Sequence, residues 1–116
     1  MKANIKNYRQ APRKVRLITD LVKGKPAIQA QAMLSRLIKR GSLPVKKLLD
    51  SAIANSGLPA EKLMVKSARV DKGVIMKRSM PRAMGRAFPI HKHTSNIVIE
   101  LADLETSKKA VKSVVK

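Results

Sequence analysis

Met76-Lys77-Arg78-Ser79-Met80-Pro81-Arg82-Ala83-Met84-Gly85-Arg86-Ala87-Phe88-Pro89-Ile90 is the stretch on which the fold of this chain turns. Bases, prolines, a glycine and small residues alternate through it, and no acidic side chain occurs from Lys72 to Ile99. Too few neighbouring side chains are apolar to build a core, so this stretch alone buries too little surface to offset chain entropy. Strand-forming sequence flanks it, with Leu63 to Asp71 before it and Ile97 to Leu101 after it. Together these features predict a long two-stranded extension over 74–93, held in shape by a polyanion, and RNA is the polyanion that fits. Folded at its midpoint, the span has arms of about ten residues and a projection of roughly 30 Å at strand rise.

Outward from the hairpin, the apolar pattern predicts the supporting elements. Residues 2–9 read as a first strand with Ala3, Ile5 and Asn7 on one face. Pro12 suits the first position of a helix, where its missing N–H costs nothing. Val15, Ile18, Leu21 and Val22 recur at helical spacing up to Gly24, a good terminator. Pro26 restarts a helix with Ala27, Ala30, Leu34 and Leu37 as its apolar stripe, ending near Ser35. Arg36, Lys39, Arg40 and Gly41 read as a basic loop. Ser42 is the expected N-cap of a third helix, Leu43 to about Ser56, with Val45, Leu48, Leu49, Ala52 and Ile53 facing the core. In the strand from Leu63, alternation places Leu63 and Val65 on one face and Met64, Ala68 and Val70 on the other. Met33 and Met64 read as core filler.

Charge narrows the function. The 116 residues carry 26 Lys and Arg against 7 Asp and Glu, a net charge of +19. Such a surface repels itself in isolation and binds phosphate polymers avidly. The bases are spread around the chain rather than confined to one tail, which suits a partner that surrounds it. Cysteine is absent, which removes disulfides and thiolate metal sites and fits a reducing compartment. No apolar run is long enough to cross a bilayer and the N-terminus has no secretory signal, so cytoplasmic residence is expected. Tyr8 and Phe88 are the only aromatic residues. Grip by charge, backbone contact and shape is therefore expected, rather than by a platform of several stacked rings.

Phosphate contacts are expected from Arg9, Arg13, Lys14, Arg16, Lys23 and Lys25 around the first helix, and from Lys77, Arg78, Arg82, Arg86 and Lys92 in the hairpin. Arg13, Lys14 and Arg16 crowd a helix start, where the dipole disfavours cations unless phosphate lies close by. A helix-turn-helix reader of DNA is disfavoured, because the second helix opens Pro26-Ala27-Ile28-Gln29-Ala30-Gln31, with little to reach base edges. His91 and His93 share a side of their strand, but no cysteine or nearby carboxylate completes a metal site. Gly24-Lys25 lacks the upstream glycine of a P-loop. No nucleophile, base and orienting group stand together, so no enzyme, no cofactor and no metal are expected. Two rivals remain in view. One is a free-standing nucleoid or RNA-chaperone protein that coats nucleic acid, and the other is a cationic membrane-surface protein. The shortage of aromatic anchors argues against the second.

Several blocks of the chain resemble the bacterial-type large-subunit ribosomal protein twenty-two family, from about Asn4 to Leu101. They are Pro12-Arg13-Lys14-Val15-Arg16-Leu17 with Gly24-Lys25; Leu48-Leu49 and Ser51-Ala52-Ile53-Ala54-Asn55; Val70-Asp71 and Gly73; Lys77-Arg78, Met80-Pro81-Arg82-Ala83 and Gly85-Arg86-Ala87; and Thr94-Ser95. The resemblance implies an α+β domain with three helices packed on a three-stranded antiparallel sheet and a long protruding β-hairpin. That gives one domain over 1–105 and a basic, flexible tail over 106–116. It further implies a structural constituent of the large ribosomal subunit that binds rRNA, aids assembly and touches neighbouring ribosomal proteins. The hairpin tip, Met80, Pro81, Arg82, Ala83, Met84, Gly85 and Arg86, is implied to line the nascent-peptide exit tunnel. Such a chain is not an autonomous homo-oligomer and has no membrane partner. Against the family pattern, Ala11 replaces a common serine at the first helix, Met84 replaces a basic tip residue, and Asn96 replaces a frequent histidine. Phe88, Pro89, His91 and His93 stand in a return arm that is usually more polar and arginine-rich. Histidines close to phosphate would make RNA contact partly pH-dependent.

Overall fold

A computed structural model describes residues 1–105. The tail expected over 106–116 lies outside the described residues. The chain runs β1 (Lys2–Tyr8), α1 (Pro12–Val22), α2 (Ala27–Arg36), α3 (Ser42–Ser56), β2 (Leu63–Lys72), β3 (Met76–Pro81), β4 (Ala87–Lys92) and β5 (Ser95–Asp103), with short 3₁₀ turns at Ala60–Lys62 and Ala83–Gly85. The fold is α+β: β5 lies between β1 and β2 in an antiparallel sheet, and β3 and β4 form a separate two-stranded ribbon. The described residues measure 67 × 30 × 22 Å. Their radius of gyration, 18.0 Å, exceeds the roughly 13 Å of a compact chain this long, because the ribbon projects from the body.

Alternation builds the central strand. Ile97, Ile99 and Leu101 face the helices and are buried, while Asn96, Val98 and Glu100 point to the opposite, half-exposed face. Val15, Ile18 and Val22 of α1, Ala27, Ala30 and Leu34 of α2, and Val45, Leu48, Leu49 and Ala52 of α3 complete a single core. α1 lies on β2, and α3 covers β1 and β5. The sequence places Leu21 in this core, but it is 43% exposed; it falls beyond the rim of the stripe defined by Val15, Ile18 and Val22. Met33 and Met64 are only half-buried, at the edge rather than in the centre.

Two β-bulges change the expected faces. In β2 the register slips between Val65 and Ser67, so Lys66 is an extra residue opposite β5. Alternation resumes one step later, and Ala68 and Val70 join Leu63 and Val65 on the core side rather than opposing them. In β1 the slip lies between Ile5 and Tyr8. Asn7 takes a left-handed conformation (φ 54°) and is exposed, and Tyr8 instead joins Ala3 and Ile5 against the core. At α3, Gly41 occupies the cap position and Ser42 is the first helical residue. The Ser42 hydroxyl donates backwards to the carbonyls of Leu37 and Lys39, so it ties the preceding loop and does not cap the helix.

The outer edge of β2 is closed by α1 and the turn after it. Gly24 N–H donates to Val65 O and Val65 N–H donates to Lys25 O, both at 2.9 Å. The Arg16 guanidinium donates to Val70 O at 3.1 and 3.2 Å. An edge paired in this way offers little template for strand addition.

The ribbon leaves the body through a polar junction. Gly73 N–H donates to Thr94 O at 2.9 Å, and the Thr94 hydroxyl donates to Val74 O. Asn7 N–H donates to Asn96 Oδ1 at 2.9 Å, and the Ser95 hydroxyl donates to Gln10 O. A Cβ at Gly73 would overlap Thr94 Oγ1 and stand 3.1 Å from Asn7 Oδ1. The strands of the ribbon are six residues each, shorter than the expected ten, because Gly73 to Ile75 is spent on this junction.

Two measurements check these assignments. Ala11 is the N-cap of α1, in extended conformation and without a side-chain cap. Ala11→Ser supplies an acceptor for the first-turn amides and should add about 1 kcal/mol, raising Tm by roughly 4–8 °C in a calorimetric scan. Gly73→Ala should cost about 1–3 kcal/mol in urea unfolding, because overpacking at the junction forces backbone to move; an unchanged midpoint would show that the junction is loose.

Candidate nucleic-acid interface

Cations dominate the surface for want of partners. Among the described residues Arg69–Asp71 is the one ion pair, at 3.4 Å and with both side chains more than half exposed. Such exposed pairs contribute at most about 1 kcal/mol. Asp71 and Glu100 share the half-exposed sheet face, Asp50 is held by Gln31 at 2.6 Å, and the hairpin has no acidic residue. Positive potential therefore goes unopposed along the hairpin and around its base.

Eight of the eleven sequence-predicted cations fall into three groups. Arg9, Lys14, Arg78 and Lys92 come together at the root of the ribbon, lining an open cleft of ≈ 730 Å³. It is built by the β1–α1 loop with Gln10 and Ala11, the first turn of α1, both ribbon strands through Met76, Arg78 and His91 with His93 just after them, and the α2–α3 loop. Arg40 closes the remaining side, and no carboxylate lines the cleft. Arg40 was legible only as part of a basic loop. Its place opposite the ribbon depends on Gly41, where a Cβ would stand 2.7 Å from Ile18 Cδ1 and 3.0 Å from Gln10 Oε1. The His91 and His93 rings lie 6.4 Å apart, on one side of the strand as expected. Among the described residues no three metal-ligating side chains converge.

The second group is the tip. Arg82 N–H donates to Arg86 O at 2.8 Å, closing the five-residue turn. Within it Met84 and Gly85 both adopt positive φ, 62° and 67°. Glycine takes that conformation freely, whereas methionine pays for it sterically. Met84 is 95% exposed there. Lys23 and Lys25 form the third group, at the opposite end of α1 from the cleft, because Gly24 and Lys25 pair with Val65 while Lys14 stands at the ribbon root. Arg13 and Lys77 are exposed but do not line the cleft. Arg16 differs from the rest: its Nε and one Nη donate to Val70 O, where it fastens α1 to β2.

Comparison with known proteins agrees with this architecture. Residues 3–102 match the family described as Ribosomal protein L22p/L17e. The chain is 47% identical over 106 residues to the large ribosomal subunit protein uL22 of Mesoplasma florum, covering 88% of this chain and 95% of that one. It is 45% identical over 108 residues to its namesake from Macrococcus caseolyticus, covering 90% and 87%. For the Campylobacter fetus protein the figures are 43% over 107 residues, covering 92% and 97%. The match takes in the helices, the central sheet and the whole of the basic ribbon, and the chain belongs to the L22p/L17e family of ribosomal proteins.

Proposed function

We propose that this chain is a structural constituent of the large ribosomal subunit that binds rRNA through the cleft at the ribbon root, the first turn of α1 and the ribbon itself. One observation carries the reading: cations from the β1–α1 loop, α1, the α2–α3 loop and both ribbon strands converge around a cleft without a carboxylate, beside a ribbon that no core supports. An isolated two-stranded ribbon is marginal in water. Here it gains order by neutralising phosphates along both strands, and the gain is electrostatic and salt-dependent. Several rRNA segments meeting at the root and along the ribbon would be fastened to one another, which is how the chain aids assembly.

The family relationship supports a place for the tip, Met80 to Arg86, in the wall of the nascent-peptide exit tunnel, where a moving peptide passes it. Neighbouring ribosomal proteins find an apolar surface between α1 and α2, where Leu21, Met33, Leu34 and Leu37 line a shallow groove. The function needs no catalysis and no cofactor. The relatives named above are bacterial, which supports the cytoplasmic ribosome as the location.

Sedimentation tests the reading. Tagged protein should pellet with the large subunit at one copy per particle through moderate and high salt washes. Arg82→Ala with Arg86→Ala should reduce incorporation several-fold and leave the Tm of the free protein within about 1 °C, since exposed substitutions outside the core change stability little. Release at moderate salt, with spread over all nucleic acid, would favour a coating protein instead. Equal loss of thermal stability in the free double variant would contradict the separation of ribbon from core.

A further inference from the structure

Phe88 is out of place in a ribbon without a core. Tyr8, the other aromatic residue, packs against the core, whereas Phe88 is 50% exposed on β4. Its cross-strand partner is Met80, 44% exposed, so the two form an apolar face next to the tip. The Arg82 guanidinium lies 5.7 Å from the ring centroid, within cation–π range. Phe88 also lines a shallow pocket of ≈ 360 Å³ with Arg82, Ala83, Met84 and Arg86. The arrangement thus offers a flat aromatic surface, the small side chain of Ala83, the flexible apolar chain of Met84 and two guanidinium groups, with no carboxylate among the lining residues.

We infer that this pocket is a stacking site for a single unpaired nucleobase of an RNA strand, with Phe88 as the platform and Arg82 and Arg86 holding the flanking phosphates. The inference deepens the rRNA-binding reading and rests on it. A base suits the site better than an apolar side chain of a protein. Every nucleobase has a π-face that stacks on an aromatic ring, and it arrives with the anions that two arginines without an acidic partner among the described residues require. Pro89, next in the strand, fixes its own φ and so restrains the backbone that carries the ring. The Arg82–Arg86 backbone bond closes the turn that presents both guanidinium groups. The site is a local exception to the grip by charge, backbone contact and shape that the scarcity of aromatic residues suggests.

The chain has no tryptophan, so Phe88→Trp introduces a unique reporter. The full-length variant is titrated with a twelve-residue oligoadenylate and, separately, with inorganic polyphosphate and with AMP, while emission and anisotropy are followed together. The expected result is loss of at least half the emission on saturation with oligoadenylate, and no loss when polyphosphate binds. AMP at the same base concentration should leave emission unchanged, which places the site on a strand rather than on a free nucleotide. A control reporter at Ile28→Trp, on α2, should respond to none of them. Phe88→Leu should weaken oligoadenylate binding roughly tenfold at fixed salt and leave polyphosphate binding unaltered. Binding of oligoadenylate without quenching, or equal loss of polyphosphate affinity in Phe88→Leu, would overturn the stacking site and leave the RNA reading intact. No binding of oligoadenylate and no binding of large-subunit rRNA by any variant would overturn both.

Discussion

The junction between Gly73 and Thr94 is the constraint on which the rest depends. A ribbon with almost no buried surface has no packing to aim it, so its direction is set where it joins the body. There Gly73, Thr94 and Asn7 approach so closely that no side chain fits at position 73. Ser95 is fully buried and fastens the start of β5 to Gln10, just before α1. The β1 bulge belongs to the same unit, because it turns the Asn7 amide toward Asn96. The bonds made by the buried Thr94 and Ser95 hydroxyls specify one geometry, since leaving a buried group unpaired costs about 1–3 kcal/mol. The angle of the ribbon is thereby coupled to the sheet and to α1, and the cleft of cations lies in the corner between them.

Stability and recognition draw on different parts of the chain. Val15, Val45, Leu49, Leu63, Val65, Ile97 and Ile99 are fully buried, and this apolar burial holds the body against both chain entropy and the repulsion of +19 charges. The ribbon contributes little to that balance and carries five of the cations proposed to meet phosphate: Lys77, Arg78, Arg82, Arg86 and Lys92. Arg16 shows that the two roles are separable residue by residue. It sits among candidate phosphate ligands in sequence, yet its guanidinium is committed to the sheet edge.

Much of this was legible in the sequence. The acid-free run announced the ribbon, Pro12 and Gly24 bracketed α1, and the alternation of Ile97, Ile99 and Leu101 gave the central strand. The failures on the strands share a cause. Alternation assumes an unbroken ladder, so an extra residue at Lys66 reversed the assignment of Ala68 and Val70, and the bulge at Asn7 replaced it by Tyr8. Ser42 looked like a cap because its residue type favours one, but the cap position is set by where the chain turns, and Gly41 turns it. Membership of the cleft was the least legible feature. Arg40 and Lys92 are distant in sequence, and only the packing of α3 against α1 and the exit angle of the ribbon bring them to one cavity.

Hydrogen exchange followed by mass spectrometry, on the free chain and on the chain within washed large subunits, tests the central claim that the body aims the ribbon and RNA holds it. In the free chain exchange should be slow at Gly73 and through Ile97–Leu101 and fast from Met76 to Lys92. In the particle the ribbon amides should become protected as well. Slow exchange from Met76 to Lys92 without RNA, or no gain of protection in the particle, would contradict it.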